Sequence, residues 1–138
     1  MLTPEHQQYL REHRLAALAT GRKDGSPQLT WISYEYDGTD IVFQTGGKSA
    51  KAHNIRRLAS VSLLVPDGGR NLVVYGAATV LEGGAERRSA IRRTRALMNR
   101  EVTSDDAALD AELDAVGTVA IRIVPERSMG RIEERRRS

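Results

Sequence analysis

The stretch that decides the fold is residues 40–65, DIVFQTGGKSAKAHNIRRLASVSLLV. It begins with a β-branched and aromatic run, residues 41–45, and ends with an apolar run, residues 61–65, and both runs have the length of strands. Between them, Gly46-Gly47 marks a turn, and residues 48–55 have the composition of a short basic helix. The stretch therefore predicts a strand, a glycine turn, a helix and a second strand.

The helix start after this glycine turn is suited to bind an anion. Glycines let a backbone approach a ligand closely, and the first N–H groups of a helix are unpaired and lie at the positive end of its dipole. Lys48 and Lys51 add mobile positive charge, and Ser49 adds a hydroxyl. Two lysines on an exposed helix are ordinary by themselves, but together with the glycines they predict a site for a phosphorylated small molecule.

Composition indicates one domain, residues 1–138. The chain has no cysteine, which excludes disulfides and thiolate metal sites and fits a reducing compartment. The first residues lack the basic and then apolar order of a signal peptide. No apolar run approaches the roughly 20 residues of a membrane span. We expect a cytoplasmic protein that does not contact a membrane.

The chain is basic, with a formal net charge of +3, and the excess is mostly arginine in residues 87–100 and 127–137. One interpretation is solvated helix and tail surface; the other is a surface for an anionic ligand or partner. Four Tyr, one Trp and one Phe are the only aromatic residues, and they do not alternate with the arginines as a stacking platform for bases requires. We therefore expect no nucleic-acid partner.

Strand patterns separated by tight turns dominate the rest of the chain. The turn signals Asp24-Gly25 and Asp37-Gly38 lie between strand patterns, as in hairpins. The prediction has six or seven strands and three or four short helices, which favours an antiparallel barrel over alternating βα units. The predicted strands are residues 15–20, 27–36, 41–45, 60–65, 71–82 and 118–124, with a short edge strand at 129–132; the longer predicted helices are residues 5–14, 85–100 and 105–116.

Several residues are expected to bend, end or orient these elements. Thr3 is expected to cap the first helix, and Gly76 to mark a bend or a close backbone approach in the strand at residues 71–82. Ser104 is expected to cap the helix at residues 105–116. Pro125 is expected to end the strand at residues 118–124. The expected apolar stripe of the helix at residues 85–100 is Ile91, Thr94, Leu97 and Met98, and that of the next helix is Leu109, Leu113 and Val116.

The chain resembles a known group, the split β-barrel flavin-binding superfamily named after pyridoxamine 5′-phosphate oxidase. Within it, the sequence is most similar to the deazaflavin-dependent oxidoreductases that use coenzyme F420. The segments that carry the resemblance are the apolar run at residues 15–20, RKDGSPQLTW at 22–31, DIVFQTGG at 40–47, residues 48–54, VSLLV at 61–65 and VVYGAA at 73–78. Residues 31–34, WISY, depart from the more usual Pro-Val-Trp-Phe type of run.

The resemblance implies a mainly β protein with short helices, an antiparallel split β-barrel of the FMN-binding type. It also implies a homodimer with the cofactor site between subunits. The residues that it assigns to the cofactor are Thr30, Trp31 and Ile32 along the ring; Gln44 and Thr45 beside the ribityl chain; Lys48, Ser49 and Lys51 at the phosphate, with Asn54 one helical turn further on; and Asn71 and Leu72 across the subunit interface.

The implied activity is that of an oxidoreductase that transfers a hydride between coenzyme F420 and a small organic acceptor. Two alternatives remain: an FMN-dependent oxidase or reductase of the same fold, and a non-catalytic cofactor-binding module. No residue stands out as a catalytic acid, and Trp31 fits core packing as well as ring contact. His6, His13 and His53 lack the spacing of metal ligands, so we expect no metal site.

Arginine content bears on the choice between the two cofactors. Coenzyme F420 carries an oligoglutamate tail, and arginine binds carboxylates well. Spare arginine is expected at Arg56, Arg57 and Arg70, in residues 87–100 and in the C-terminal segment. It predicts tighter binding of the deazaflavin than of FMN, with a difference that shrinks as salt rises.

Overall fold

The computed structural model describes residues 2–133, which contain seven strands and four helices. In chain order the elements are α1 (Pro4–Glu12), β1 (Leu15–Gly21), β2 (Pro27–Ser33), β3 (Glu35–Tyr36), β4 (Ile41–Gly46), α2 (Ala50–Arg57), β5 (Ser60–Asp67), β6 (Arg70–Leu81), α3 (Gly84–Leu97), α4 (Asp106–Val116) and β7 (Thr118–Arg131). Within these residues, no helix is both long and apolar enough to cross a bilayer.

The sheet closes on itself because its two edge strands are adjacent in sequence. The strands form one antiparallel sheet in the order β2-β1-β5-β6-β7-β4-β3, so β2 and β3 lie at opposite edges. Only Tyr34 separates them along the chain, and one residue spans about 3.5 Å. The sheet must therefore curl until its edges meet, which confirms the predicted antiparallel split barrel.

The barrel interior is the main core, and the alternation of each strand decides which side chains enter it. Ile32, Phe43 and Leu72 are fully or almost fully buried there. Tyr34, at the junction of β2 and β3, donates from its hydroxyl to the carbonyl of Leu10 at 2.8 Å. Burial raises the pKa of Tyr34 far above its usual value. The bond holds α1 against the point where the barrel closes.

Helices α3 and α4 cover the outer face of β4 and β7. A second apolar cluster fills this contact, with Val42 from β4, Ile91 from α3, and Leu109 and Leu113 from α4. Arg87, rather than an apolar residue, completes the buried side of α3, where it is 3% exposed. It pairs with Asp114 at 2.8 Å. The two helices are thus joined by both apolar packing and ion pairs.

Three predicted details of these helices are wrong. Asp105, not Ser104, caps α4, because its carboxylate accepts from the N–H of Ala108 at 2.8 Å. Met98 is 39% exposed because α3 ends at Leu97, and Val116 is 77% exposed on the last turn of α4. The predicted cap at Thr3 is confirmed.

Strand β7 continues past Pro125, where the sequence predicted its end. Gly76 lies opposite Pro125 and Tyr75 lies opposite Arg127, so Glu126 is an extra residue in a β-bulge. A bulge tolerates proline because the ladder is already interrupted there. The predicted edge strand at residues 129–132 is therefore the end of β7. A Cβ at Gly76 would lie 2.5 Å from the carbonyl oxygen of Val124, which confirms a close backbone approach at this glycine.

Among residues 2–133, no helix covers the outer face of β1, β2 and β5. There, one residue from each of five strands forms a continuous cross-strand row. The row consists of Trp31, Ala17, Leu64, Val73 and Met129. Trp31 is 61% exposed and Met129 57% exposed, so the core alternative for Trp31 is excluded within one protomer. We call these five residues the outer row.

Candidate functional site

The predicted anion site lies at the start of α2, where its cap leaves several donors available. Ser49 is the N-cap: its hydroxyl oxygen accepts from the N–H of Ala52 and from the hydroxyl of Thr45, each at 3.2 Å. Since both bonds are accepted, the Ser49 hydroxyl hydrogen remains able to donate. By helix geometry, the N–H groups of Ala50 and Lys51 have no partner within the helix. These donors converge at one helix end.

The two glycines before this helix have different roles. The N–H of Gly47 donates to the carbonyl of Gly117 at 2.8 Å, and a Cβ at Gly47 would lie 3.2 Å from that carbonyl oxygen. Gly47 therefore packs against the start of β7 and does not face a ligand. Gly46 has nothing within 4 Å of the position of a Cβ, so the open approach predicted for both glycines exists only at Gly46.

The two lysines are differently placed around this helix end. Lys48 precedes the cap and is exposed, whereas Lys51 lies in the first turn and is half-buried. Lys51 and Asn54 are three residues apart and lie on the same side of α2. His53 is exposed. Lys51 is therefore the lysine closest to the packed side of the helix.

Asn54 holds α2 to the start of the β1–β2 hairpin. It is 6% exposed, and its side-chain amide donates to the hydroxyl of Thr20 and to the side-chain oxygen of Gln28, each at 3.1 Å. Both of its amide hydrogens are thus engaged within the protein. Gln28 was not predicted as a site residue, although the alternation of β2 puts it on the same face as Thr30.

The predicted ring-contact residues of β2 point to opposite sides of the sheet. Thr30 is half-buried on the inner side, and Ile32 is buried in the core. Trp31 faces outward between them, as part of the outer row. A flat ring on one side of β2 can therefore contact Thr30 or Trp31 by side chain, but not both.

Gln44 and Thr45 are separated in the same way. Thr45 bonds to the Ser49 cap, whereas Gln44 accepts from the guanidinium of Arg95 at 3.2 Å. Gln44 lies in a polar cavity of about 390 Å³ beside the loop between α3 and α4. Of the two residues predicted to lie beside the ribityl chain, only Thr45 joins the anion site.

Asn71 and Leu72 lie at the far end of the barrel from α2. The backbone of Ala78 on β6 bonds to Ala59, which follows α2, and Asn71 is seven residues away along the strand, or about 23 Å. Leu72 is 0% exposed inside the barrel, so its side chain cannot line a site across an interface in this conformation. Asn71 can approach the anion site only through a second copy of the chain.

Most of the arginines expected to be spare have acidic partners, so that premise is wrong for them. Arg57 donates to the carbonyl of Gly21 at 2.7 Å and to Asn54. The ion pairs are Arg56 with Glu82; Arg70 with Asp67; Arg87 with Asp110 and Asp114; Arg88 with Asp106 and Asp110; Arg92 with Asp106; Arg93 with Glu35, Asp37 and Asp40; and Arg95 with Glu112. Residues 134–138, with the last three arginines, lie outside the described residues.

His6 in α1 and His13, the residue that follows the helix, have structural partners. His6 is 2.7 Å from the hydroxyl of Ser128, and His13 bonds to the carbonyl of Tyr9 and pairs with Asp67 at 2.9 Å. Over residues 2–133 there is no group of three acidic, His or Cys side chains that could hold a metal ion.

The donor set at the start of α2 fits a phosphate. It consists of the Ser49 hydroxyl, the first backbone N–H groups of the helix and the ammonium group of Lys51.

The chain is similar to one described family over nearly its whole length. A model of the family described as pyridoxamine 5′-phosphate oxidase matches residues 2–128. No curated protein is similar enough to the chain to count as a match.

Several solved structures have the same fold. A conserved hypothetical protein from Mycobacterium tuberculosis, Rv2991, is 28% identical, with a TM-score of 0.77 over 96% of this chain and 85% of the other. A protein described as an F420 reductase is 25% identical, with a TM-score of 0.65 over 92% of this chain and 98% of the other. A FAD-binding protein from Mesorhizobium loti is 22% identical, with a TM-score of 0.72 over 92% and 91% of the two chains, and this likeness concerns the fold alone.

Proposed function

This chain belongs to the pyridoxamine 5′-phosphate oxidase family, and we propose that it is an oxidoreductase that transfers a hydride between coenzyme F420 and a small organic acceptor. The observation that carries the proposal is the set of donors at the start of α2. Ser49, Lys51 and the first N–H groups of the helix fit the phosphate that flavins and deazaflavins share. The substrate is a small molecule whose identity the site does not specify.

Fewer observations support coenzyme F420 over FMN than support the phosphate site itself. The chain is 25% identical to a protein described as an F420 reductase, and the two align over 92% of this chain. The phosphate donors suit FMN equally well, so FMN is the second candidate. The arginines of α3 no longer favour either cofactor, since they are paired with acidic residues.

The cofactor, when bound, supplies the hydride chemistry. The protein's part is binding and orientation. Lys51 and the helix start neutralise and hold the phosphate, and the hydroxyl of Ser49, fixed by Thr45, donates to it. The inner side of β2 around Thr30 positions the ring. No side chain of this region is assigned as a general acid, so solvent is the proposed proton source.

A homodimer is part of the proposal, and the outer row is its contact. An apolar row across five strands, with Trp31 61% exposed, is unusual on a monomer because exposing this apolar surface to water is unfavourable in free energy. We propose that a second copy on this face also places its own Asn71 region toward the first copy's site. The predicted cross-interface role of Asn71 then becomes geometrically accessible, and Asn71 remains a candidate on that ground.

The experiment that tests the function is direct identification of the bound small molecule, followed by turnover. Protein purified from a host that makes coenzyme F420 is examined by mass spectrometry and absorbance, and titrated with F420 and with FMN. Reduced cofactor is then mixed with a panel of acceptors. Binding with hydride transfer from F420 is expected. Transfer with FMN alone favours the second candidate, and tight binding without transfer to any acceptor favours the non-catalytic module.

A further inference from the structure

The side chain of Gln28 is held in one orientation by a chain of hydrogen bonds. Its side-chain oxygen accepts from the amide of Asn54 at 3.1 Å and from the hydroxyl of Thr20 at 3.3 Å. An amide that accepts with its oxygen on one side has its N–H groups on the other. The donors of Gln28 therefore point away from Asn54 and Thr20.

Arg57 fixes the orientation of the whole chain of bonds. The guanidinium of Arg57 donates to the side-chain oxygen of Asn54 at 2.9 Å and to the carbonyl of Gly21 at 2.7 Å. Since arginine only donates, Asn54 must turn its oxygen to Arg57 and its amide to Gln28. Gln28 must then present its oxygen to Asn54. Arg57 thus sets the direction of the unpaired Gln28 amide, although Arg57 contacts Gln28 only through Asn54.

We propose that Gln28 is a further cofactor-binding residue, whose side-chain amide donates to a phosphate oxygen of the bound cofactor, and that Asn54 acts as its positioning residue. This inference rests on the proposed function, because it adds a donor to the same site. It also gives Asn54 a different role from the direct contact predicted from the sequence.

The location of Gln28 supports the phosphate as the group that it binds. Asn54, which contacts Gln28, lies one helical turn from Lys51 on the same side of α2, a rise of about 4.5 Å. Gln28 is half-buried at the start of β2, at the end of the barrel where α2 begins. Within residues 2–133, the amide nitrogen of Gln28 has no hydrogen-bond partner. A donor that is oriented but unpaired, and that contacts the basic helix one turn after Lys51, is suited to an anionic oxygen.

The test compares FMN with riboflavin, which differ only in the phosphate, and F420 with deazariboflavin, which lacks both the phosphate and the oligoglutamate tail. Dissociation constants for FMN and riboflavin, and for F420 and the phosphate-free deazariboflavin, are measured with Gln28→Met, Gln28→Glu and the wild type. Gln28→Glu keeps the acceptor for Asn54 and replaces the donor by an oxygen. Gln8→Glu, on the exposed side of α1, controls for the added charge, and thermal unfolding reports on folding.

Loss of one hydrogen bond to a charged group predicts roughly tenfold weaker binding of FMN or F420 by Gln28→Met. Gln28→Glu should weaken it further, since its carboxylate repels the phosphate, and Gln8→Glu should not change it. Riboflavin and deazariboflavin binding should change less than threefold, a rough limit for a group that does not touch them. Equal losses with and without the phosphate overturn the inference.

Asn54→Asp tests the positioning role. An aspartate offers only acceptors, so Gln28 must turn its amide toward it and away from the phosphate. The effect of Asn54→Asp on FMN affinity should therefore vanish in the Gln28→Met background, whereas a simple charge effect would persist there. One outcome would overturn only the role of Gln28: the wild type binds cofactor and Lys51→Ala weakens that binding, but the Gln28 variants bind cofactor as tightly as the wild type. If the wild type binds no cofactor, the proposed function fails.

Discussion

Arg95 on α3 binds Glu112 on α4 through both carboxylate oxygens, at 3.0 and 2.9 Å. The same guanidinium donates to Gln44 on β4 at 3.2 Å. One side chain thus joins two helices to the sheet. Because bidentate pairs of this kind are specific in geometry, Arg95 is a structural residue of the α3–α4 hairpin and is not free for a ligand.

Acid should weaken this hairpin. The hydrogen bond from Arg95 lowers the pKa of Glu112. A lowered pKa in the folded state means that the contribution to stability is complete above the usual Glu value of about 4.3, and is lost as the pH falls through the lowered pKa. Glu112→Gln should therefore lower the Tm at pH 7, and the difference from wild type should close in acid. Scanning calorimetry across this pH range measures it.

The control for this pair is Glu101→Gln, in the exposed loop between α3 and α4. Its Tm should follow the wild type at every pH. A Glu112→Gln difference that stays constant down to strongly acidic pH would show that packing, and not the ion pair, is responsible.

Lys51 should determine cofactor affinity without affecting folding. A charged phosphate contact contributes roughly 1.5–3 kcal/mol, so Lys51→Ala should weaken FMN or F420 binding by roughly ten- to a hundredfold. The Tm of the protein without cofactor should change little. Lys23→Ala, exposed in the turn between β1 and β2, is the matched control and should bind normally. An unchanged dissociation constant for Lys51→Ala would remove the phosphate site from α2.

The outer row should hold two copies of the chain together. Trp31→Glu places a charge at the aromatic residue of the outer row, which is 61% exposed in one protomer. Sedimentation at micromolar concentration should therefore shift from dimer to monomer. Val116→Glu, an apolar residue 77% exposed on α4, should leave the dimer intact. A wild type that sediments as a monomer yet binds cofactor fully would contradict both the dimer and the shared site.

Gly130 should tolerate no side chain. A Cβ there would lie 2.3 Å from the carbonyl oxygen of Asn71, and its φ of +153° is rare for other residues. Gly130→Ala should therefore cost about 3 kcal/mol of unfolding free energy, from overpacking and backbone strain together. Gly69→Ala, with open space and no such φ, should cost little. Urea unfolding compares them, and similar losses in both variants would argue against the close β6–β7 approach.

Salt should discriminate only weakly between the two cofactors. Since most α3 arginines are paired with acidic residues, this helix offers the carboxylate tail of F420 little free positive charge. We expect the ratio of F420 to FMN affinity to change less than about threefold between low and high salt. Paired titrations measure this ratio. A large fall at high salt would indicate that cations such as Arg100, or those beyond residue 133, bind the tail.

Local sequence signals determined most of the elements. Asp24-Gly25 makes the tight hairpin between β1 and β2, and Ser49 caps α2 as the residue types of the helix start indicate. Period-two alternation in β2 puts Trp31 on the outer face and Ile32 in the core. The physical causes of these features are turn geometry, helix capping and the alternating burial of a strand. Each cause depends only on a few neighbouring residues.

Tertiary structure alone decided the features that join distant segments. Pro125 ends a strand by its own chemistry, but the bulge opposite Gly76 lets β7 continue. The arginines of α3 read as spare charge until the fold brings the acidic residues of α4 and β3 to them. Gln28 enters the proposed site only because Asn54, 26 positions away, orients its side-chain amide. The sequence determined which strands and helices form, whereas packing decided which polar groups remain free, since that depends on partners far apart along the chain.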